Sequence, residues 1–145
     1  MTVEEYREQL LEDMAVAAAA DGSSTPDKEF LYYVTDILAT GEEFDDFIEC
    51  HQEGISHKRA NMEIDGYAFD DTDGSCCVFI LDYHGPFEND SINAKDIDIK
   101  FNLIRHFIEE AIKYKMGFEE SSQEYEFNML LHEKAAEITK FRFYI

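Results

Sequence analysis

Apolar residues recur at helical spacing in the first part of the chain. Thr2 begins the first run with a capping box, and the run ends at Gly22, which predicts an amphipathic helix. Pro26, after a threonine, predicts the first turn of a second helix, and Gly41 predicts its end. For residues 42–53, which carry six acidic side chains and no Lys or Arg, we expect a solvated loop or a short helix.

The apolar period then changes to that of β-strands. Residues 61–69 and 76–83 predict two strands, and Asp73-Gly74 between them is typical of a two-residue hairpin turn. A further strand is expected near 55–58. Together with the segments that follow, the order predicts an α/β fold in which a mixed sheet with a central hairpin is flanked by helices.

The second half of the chain predicts two more helices and a last strand. Asn93 is expected to cap a long helix that ends at Gly117, and Ser121 to begin another. Residues 138–145 alternate, which predicts a strand on which the chain stops. We therefore expect one domain over 1–145, with a helical appendage at 2–22 and a core at 23–145, and expect it to be the N-terminal part of a longer protein.

The hairpin register brings ionisable residues together. If Asp73 and Gly74 alone form the turn, Asp65 lies opposite Asp82 and Glu63 lies opposite His84, all on one face of the hairpin. Two opposed carboxylates repel each other unless a cation lies between them, and oxygen ligands suit Mg²⁺ or Mn²⁺. The alternative is that both carboxylates point to solvent at the frayed end of the hairpin.

Composition limits the function classes. The chain has 145 residues, with 12 Lys+Arg against 33 Asp+Glu and a net charge of −21, so this segment is not expected to hold nucleic acid unaided. Apolar residues make up 45%, which is too many for a disordered acidic chain. Three cysteines, two of them adjacent, favour a reducing cytoplasm, and the chain has no apolar run long enough to span a membrane.

Two metal motifs are not supported by spacing. Cys50-His51 with His57 lacks the paired ligands of a structural zinc site. The glycine in the 71–74 turn is misplaced for a calcium-binding EF-hand loop.

The strand segments resemble a known family. The run from Ile64 to Tyr67, the glycine-containing turn after Asp70 and the strand that ends in Asp82 are similar to the N-terminal region of abortive-infection phage-resistance (AIPR) proteins of bacteria. The Glu29-Phe30 helix and the acidic start of the long helix are similar too, so the resemblance covers about residues 26–145. It implies a cytoplasmic phage-defence protein with a larger C-terminal part.

The element order also resembles the restriction-endonuclease-like core, which carries the PD-(D/E)xK motif. That resemblance implies Asp65 and Asp82 as metal ligands and catalytic acids, Tyr83 as a carbonyl ligand and Glu29 as an acidic ligand on the preceding helix. His84 stands where the motif has lysine and would orient the attacking water. The implied function is Mg²⁺- or Mn²⁺-dependent phosphodiester hydrolysis, with nucleic acid held by the rest of the protein.

Two other functions remain open at this point. A degenerate nuclease fold would serve as an assembly module and dimerise through a sheet edge or the first helix, without metal affinity. An acidic DNA mimic would use its charge of −21 to block DNA-binding enzymes and depend on no single carboxylate pair.

Overall fold

The elements of the fold confirm the expected α/β class. In the computed structural model, residues 1–83, 91–114 and 122–145 are described. These residues form four helices and four strands: α1 Val3–Ala20, α2 Pro26–Thr40, β1 Ile48–Ile55, β2 Asn61–Asp70, β3 Ser75–Phe79, α3 Ala94–Lys113, α4 Gln123–Lys134 and β4 Lys140–Tyr144. No helix among the described residues is long and apolar enough to cross a membrane.

The sheet is mixed, as predicted. Its strand order is β1-β2-β3-β4. β2 is antiparallel to both β1 and β3, and β4 is parallel to β3. The parallel pairing requires a crossover, which α3 and α4 supply. The sequence-based likeness to restriction endonucleases stays a prediction.

The sheet buries apolar side chains on both faces. The larger cluster joins Cys76 and Val78 of β3 to Ile104, Phe107 and Phe127 of α3 and α4. The smaller cluster, on the α2 face, contains Phe44, Ala68, Cys77 and Phe79. The adjacent cysteines alternate along the strand and so belong to different clusters, and both are core residues.

The helix starts agree with their local signals. Thr2 forms the predicted capping box with Glu5, and Asn93 accepts a hydrogen bond from the Asp96 N–H at 2.9 Å. The last predicted helix begins one residue later than expected, with Ser122 as its cap. Gly117 and Ser121 lie outside the described residues.

The prediction of a loop or short helix for the acidic segment at 42–53 is wrong for its second half, whereas 42–47 is irregular. Residues 48–53 all belong to β1, in which Cys50 and Gln52 are buried while His51 and Glu53 are exposed. The alternation is present, but a buried glutamine and several acids hide it. The Gln52 side chain accepts a hydrogen bond from Asn128 of α4 at 3.1 Å, and this bond offsets the cost of burying a polar group.

The hairpin register was also predicted wrongly. Asp70, not Thr72, pairs with Ser75, so the turn contains four residues. Its carboxylates explain why: Asp70 accepts from the Thr72 N–H and Asp73 from the Ser75 N–H, each at 3.0 Å. Within this turn, only Gly74 has a positive φ, of 73°, whereas the predicted two-residue turn needs two such residues. The shift removes the direct pairing of Asp65 with Asp82.

Candidate metal centre

An irregularity between β1 and β2 shapes the candidate site. Glu49 pairs with Gly66 and Gln52 pairs with Ile64, so β1 has one extra residue and Cys50-His51 lies opposite Asp65. The alternation of β2 is also broken at this point, because Ile64 and Tyr67 pack in the same core cluster. Asp65 thereby lies in a cleft between the sheet and the start of α2.

Gly66 allows the two strands to meet at this point. A Cβ added there would lie 2.4 Å from two ring carbons of Phe47 and 2.8 Å from the carbonyl oxygen of Ile48. The Phe47 ring packs edge-on against Phe79, with the centroids 5.0 Å apart, so it is held in place. A glycine beside Asp65 is therefore a packing requirement of the site.

Three potential ligands converge beside this glycine. His51, Glu63 and Asp65 each offer a ligand atom, and these atoms lie within 4.8 Å of one another. His51 Nδ1 lies 2.6 Å from Asp65 Oδ1, and the Leu81 N–H donates to Asp65 Oδ2 at 2.6 Å. If His51 is neutral, its Nδ1–H donates to Asp65 and leaves Nε2 as the basic nitrogen. We call these three residues the HED cluster.

The cluster combines an accessible ring with a less accessible carboxylate. The side chain of His51 is 52% exposed and that of Asp65 only 15%. Partial burial acts to lower the pKa of His51, but the hydrogen bond that its ring donates to Asp65 and the charges of Asp65, Glu63 and Glu53 outweigh it, and the pKa is raised. The cluster thus concentrates negative potential at one exposed imidazole.

The cleft around the HED cluster has a volume of about 590 Å³. Its opposite wall is the first turn of α2, where Thr25 makes no side-chain cap. Lys28 lies on this wall, 3.7 Å from Glu49, and is the one Lys or Arg among the described residues that line the cleft. Uncapped N–H groups and a lysine favour an anionic group on this side of the cleft.

The residues predicted as ligands are distributed over more than one place. Tyr83 lines the same cleft as Asp65, with its ring 5.5 Å from that of Phe30. Asp82 is 3.9 Å from Lys100 of α3 and lines a neighbouring cavity of about 540 Å³, to which Tyr83 also contributes. The catalytic and metal-binding roles given to these residues stay predictions.

Glu29 and His84 are the other two residues predicted for the site. Glu29 accepts a hydrogen bond from Ser24 at 2.6 Å and lines another cavity on the outer side of α2. His84 lies outside the described residues.

Sequence reasoning placed Asp65 and Glu63 on one face but missed His51. The two acids are two positions apart on a strand, so their common face follows from the strand period. His51 was weighed only as a zinc ligand beside Cys50, and the two point to opposite sides of β1, one exposed and one buried. Recognition of β1 as a strand would have been the signal.

The donor set bears on which cation fits. Carboxylate oxygens alone suit Mg²⁺, whereas an imidazole nitrogen with two carboxylates suits Mn²⁺ and other transition metals better. Both oxygens of Asp65 already accept one hydrogen bond each, which leaves lone pairs for an ion and fixes the orientation of the group. Of the two expected ions, the HED cluster therefore favours Mn²⁺.

Comparison with known families gives a match over most of the chain. The model of the abortive infection phage resistance protein N-terminal domain matches residues 30–145. The chain belongs to this family. The matched region of the phage-resistance domain includes the whole sheet and the HED cluster but not α1 or Glu29. Membership connects the protein with phage defence by abortive infection. Searches of curated proteins and of solved structures find no match.

Proposed function

We propose that this domain is a metal-dependent nuclease module of a cytoplasmic phage-defence protein, with the HED cluster as its cation site. The observation that carries the proposal is the convergence of one imidazole and two carboxylates within 4.8 Å at the wall of an open cleft. The element order, in which a helix precedes three antiparallel strands and a crossover leads to a parallel fourth, supports the restriction-endonuclease-like interpretation.

Each member of the site has a defined part in this proposal. Glu63, Asp65 and Nδ1 of His51 would hold the cation, with the proton of the neutral ring on Nε2, and the Leu81 N–H keeps the carboxylate of Asp65 in place. Before an ion binds, the contact between Nδ1 and Asp65 holds the His51 ring beside the carboxylates. When bound, the cation would supply Lewis-acid chemistry, polarising a phosphoryl oxygen and acidifying a water for phosphodiester hydrolysis.

Lys28 supplies the positive charge that the motif's lysine would provide. It faces the HED cluster across the cleft from α2, where it can neutralise a phosphate oxygen. Its ion pair with Glu49 is exposed and so costs little to exchange for a phosphate. Because the chain carries −21, we propose that nucleic acid is held jointly with other parts of the protein.

The test is a Mn²⁺ titration by calorimetry and electron paramagnetic resonance. We expect the natural chain to bind one tightly held ion, and Asp65→Asn to weaken binding by at least about tenfold. Asp98→Asn removes an equal charge from an exposed site on α3 and is the matched control. Equal binding by both variants would show diffuse attraction to an acidic surface and refute the proposal.

Two further variants separate the structural cluster from the sequence-based pair. Asp82→Asn should leave Mn²⁺ binding close to that of the natural chain, since Asp82 pairs with Lys100. Glu63→Gln, assayed in the full-length protein with Mn²⁺, should abolish cleavage of labelled DNA or RNA. If Asp82→Asn weakens binding as much as Asp65→Asn does, the ion belongs to the Asp65–Asp82 pair instead.

A further inference from the structure

A smaller cavity lies at the far end of the β1–β2 hairpin, against α3. It has a volume of about 170 Å³, and its lining includes Lys58 and Ala60 of the turn and His106, Glu110 and Lys113 of α3. Drug-sized ligands need roughly 300–1,000 Å³, so this cavity suits a group of the size of an ion. It contains none of the HED cluster.

The carboxylates of this cavity are already committed to other cations or donors. Glu110 is buried and accepts hydrogen bonds from both the backbone N–H and the ring Nδ1 of His57, the former at 3.0 Å. Glu109 pairs with Arg105 at 3.0 Å. Little negative charge is left to attract a further cation, so this is not a metal site like the HED cluster.

The two lysines of the cavity are not neutralised by a described acidic residue. Within the described part of the chain, neither Lys58 nor Lys113 makes an ion pair, and both are exposed. Arg59, next in the turn, is exposed and also has no ion pair with a described residue. A chain with 33 acidic and 12 basic residues thus keeps two lysines at one small cavity, and Arg59 beside one of them in the turn, without an ion pair to a described residue.

An aromatic face adjoins the charges. Tyr114, which also lines the cavity, stacks on His57 with ring centroids 3.9 Å apart, and 39% of the residue is exposed. The His57 ring is in turn held by Glu110, so the Tyr114 face is supported from behind. Cations beside a supported aromatic ring are the arrangement by which proteins hold single-stranded nucleic acid.

We propose that this cavity binds a backbone phosphate of single-stranded nucleic acid, with Lys58 and Lys113 on the phosphate and Tyr114 against a neighbouring base. The overall charge of −21 opposes approach at long range. At physiological salt, however, charges more than about 8 Å away are largely screened, so the local cations decide contact. This inference extends the proposed nuclease function, but binding here does not need the HED cluster.

The position of the cavity is compatible with delivery of a strand to the cleft. The cavity adjoins Asn61, whose carbonyl oxygen lies 3.1 Å from His106 Nδ1. Four residue steps along β2, about 14 Å, separate Asn61 from Asp65. The cavity is on the α3 side and the cleft on the α2 side, and β1 between them is an edge strand. A flexible single strand can pass around that edge.

The test is fluorescence anisotropy with a labelled single-stranded oligonucleotide of about 12 nucleotides, a common site size, in EDTA at an ionic strength of about 0.15 M. We expect Lys58→Ala/Lys113→Ala to weaken binding by about tenfold. The control Lys95→Ala/Lys140→Ala removes the same charge from exposed positions at the start of α3 and on β4, and should change affinity by less than about twofold. Tyr114→Leu should weaken binding by about fivefold or more through lost stacking.

The outcomes separate this inference from the proposed function. In EDTA the HED cluster holds no cation, so the losses expected for the Lys58/Lys113 and Tyr114 variants are measured apart from Mn²⁺ binding. Equal losses in the two double-lysine variants, or no loss in either, overturn the inference even if Mn²⁺ binding is confirmed. Inorganic phosphate or a mononucleotide that binds as tightly as the oligonucleotide would instead identify a small phosphate ligand and also overturn it.

Discussion

A methyl group at Gly66 should damage both the fold and the HED cluster. In Gly66→Ala the new Cβ would lie 2.4 Å from the Phe47 ring and 2.8 Å from the Ile48 carbonyl oxygen, distances that real Cβ atoms do not adopt. The ring cannot simply rotate away, because it packs on Phe79. The carbonyl belongs to β1, whose Ile48 is paired with Tyr67 of β2, so relief requires the strands to separate.

The expected cost follows from this overpacking. Inserted methyl groups in well-packed cores cost about 1–3 kcal/mol, and the backbone contact places Gly66→Ala near about 3 kcal/mol. At about 4 °C per kcal/mol for a chain of this size, the melting temperature falls by about 12 °C. Separation of β1 from β2 also moves His51 away from Asp65, so Mn²⁺ affinity should fall together with stability.

The assay is thermal and urea unfolding followed by circular dichroism, with two comparison variants. Gly22→Ala is the matched control, since its new methyl would meet nothing within 4 Å, and it should change stability by less than about 1 kcal/mol. Phe47→Leu in the Gly66→Ala background should recover part of the loss, because the two positions are coupled. A Gly66→Ala protein that melts within about 2 °C of the natural chain would refute the packing argument.

Three further predictions concern the core and the hairpin turn. Phe127→Ala, which removes a fully buried ring stacked at 3.8 Å on a β2 tyrosine, should cost about 3–5 kcal/mol in urea unfolding, whereas a leucine there should cost less. Burial raises the pKa of Cys76 to about 12, so this thiol should react with Ellman's reagent at pH 8 only as fast as the protein unfolds; fast labelling of the native protein would contradict this. The hydrogen bond from Ser75 and then the contact with Lys140 lower the pKa of Asp73 to about 2. The stabilising contribution of Asp73 is therefore complete above about pH 4 and is lost as the pH falls towards 2. Asp73→Asn should flatten that part of the profile of stability against pH, and an unchanged profile would contradict the prediction.

Local signals predicted the helices well because helix ends are defined by neighbouring residues. The Thr2 capping box, the first-turn Pro26 and the Asn93 cap each act within four positions in sequence, and all three begin the helices observed. The apolar residues of α3 are unevenly buried. Ile97 and Phe101, at its start, are 40% and 45% exposed, because the buried face of the helix lies mainly in its second half.

The strands show the limit of local reasoning. β1 was missed because burial of Gln52 depends on Asn128, a partner 76 residues away. The hairpin register was missed because two aspartate side chains bond the backbone inside the turn and lengthen it. In both cases the hydrogen bond of a polar side chain decided the local structure, and the apolar pattern used for the prediction contains no information about such bonds.

The sequence by itself determined the α/β class, the starts of the helices, the pairing of β2 with β3 and the placement of Asp65 on a strand. These features depend on caps, periodicity and turn residues, whose effects act within a few residues. Only the tertiary structure decided which groups stand beside Asp65. The irregular pairing of β1 with β2, allowed by the missing side chain of Gly66, brings His51 to that carboxylate, and strand pairing of this kind is set by packing across the whole sheet.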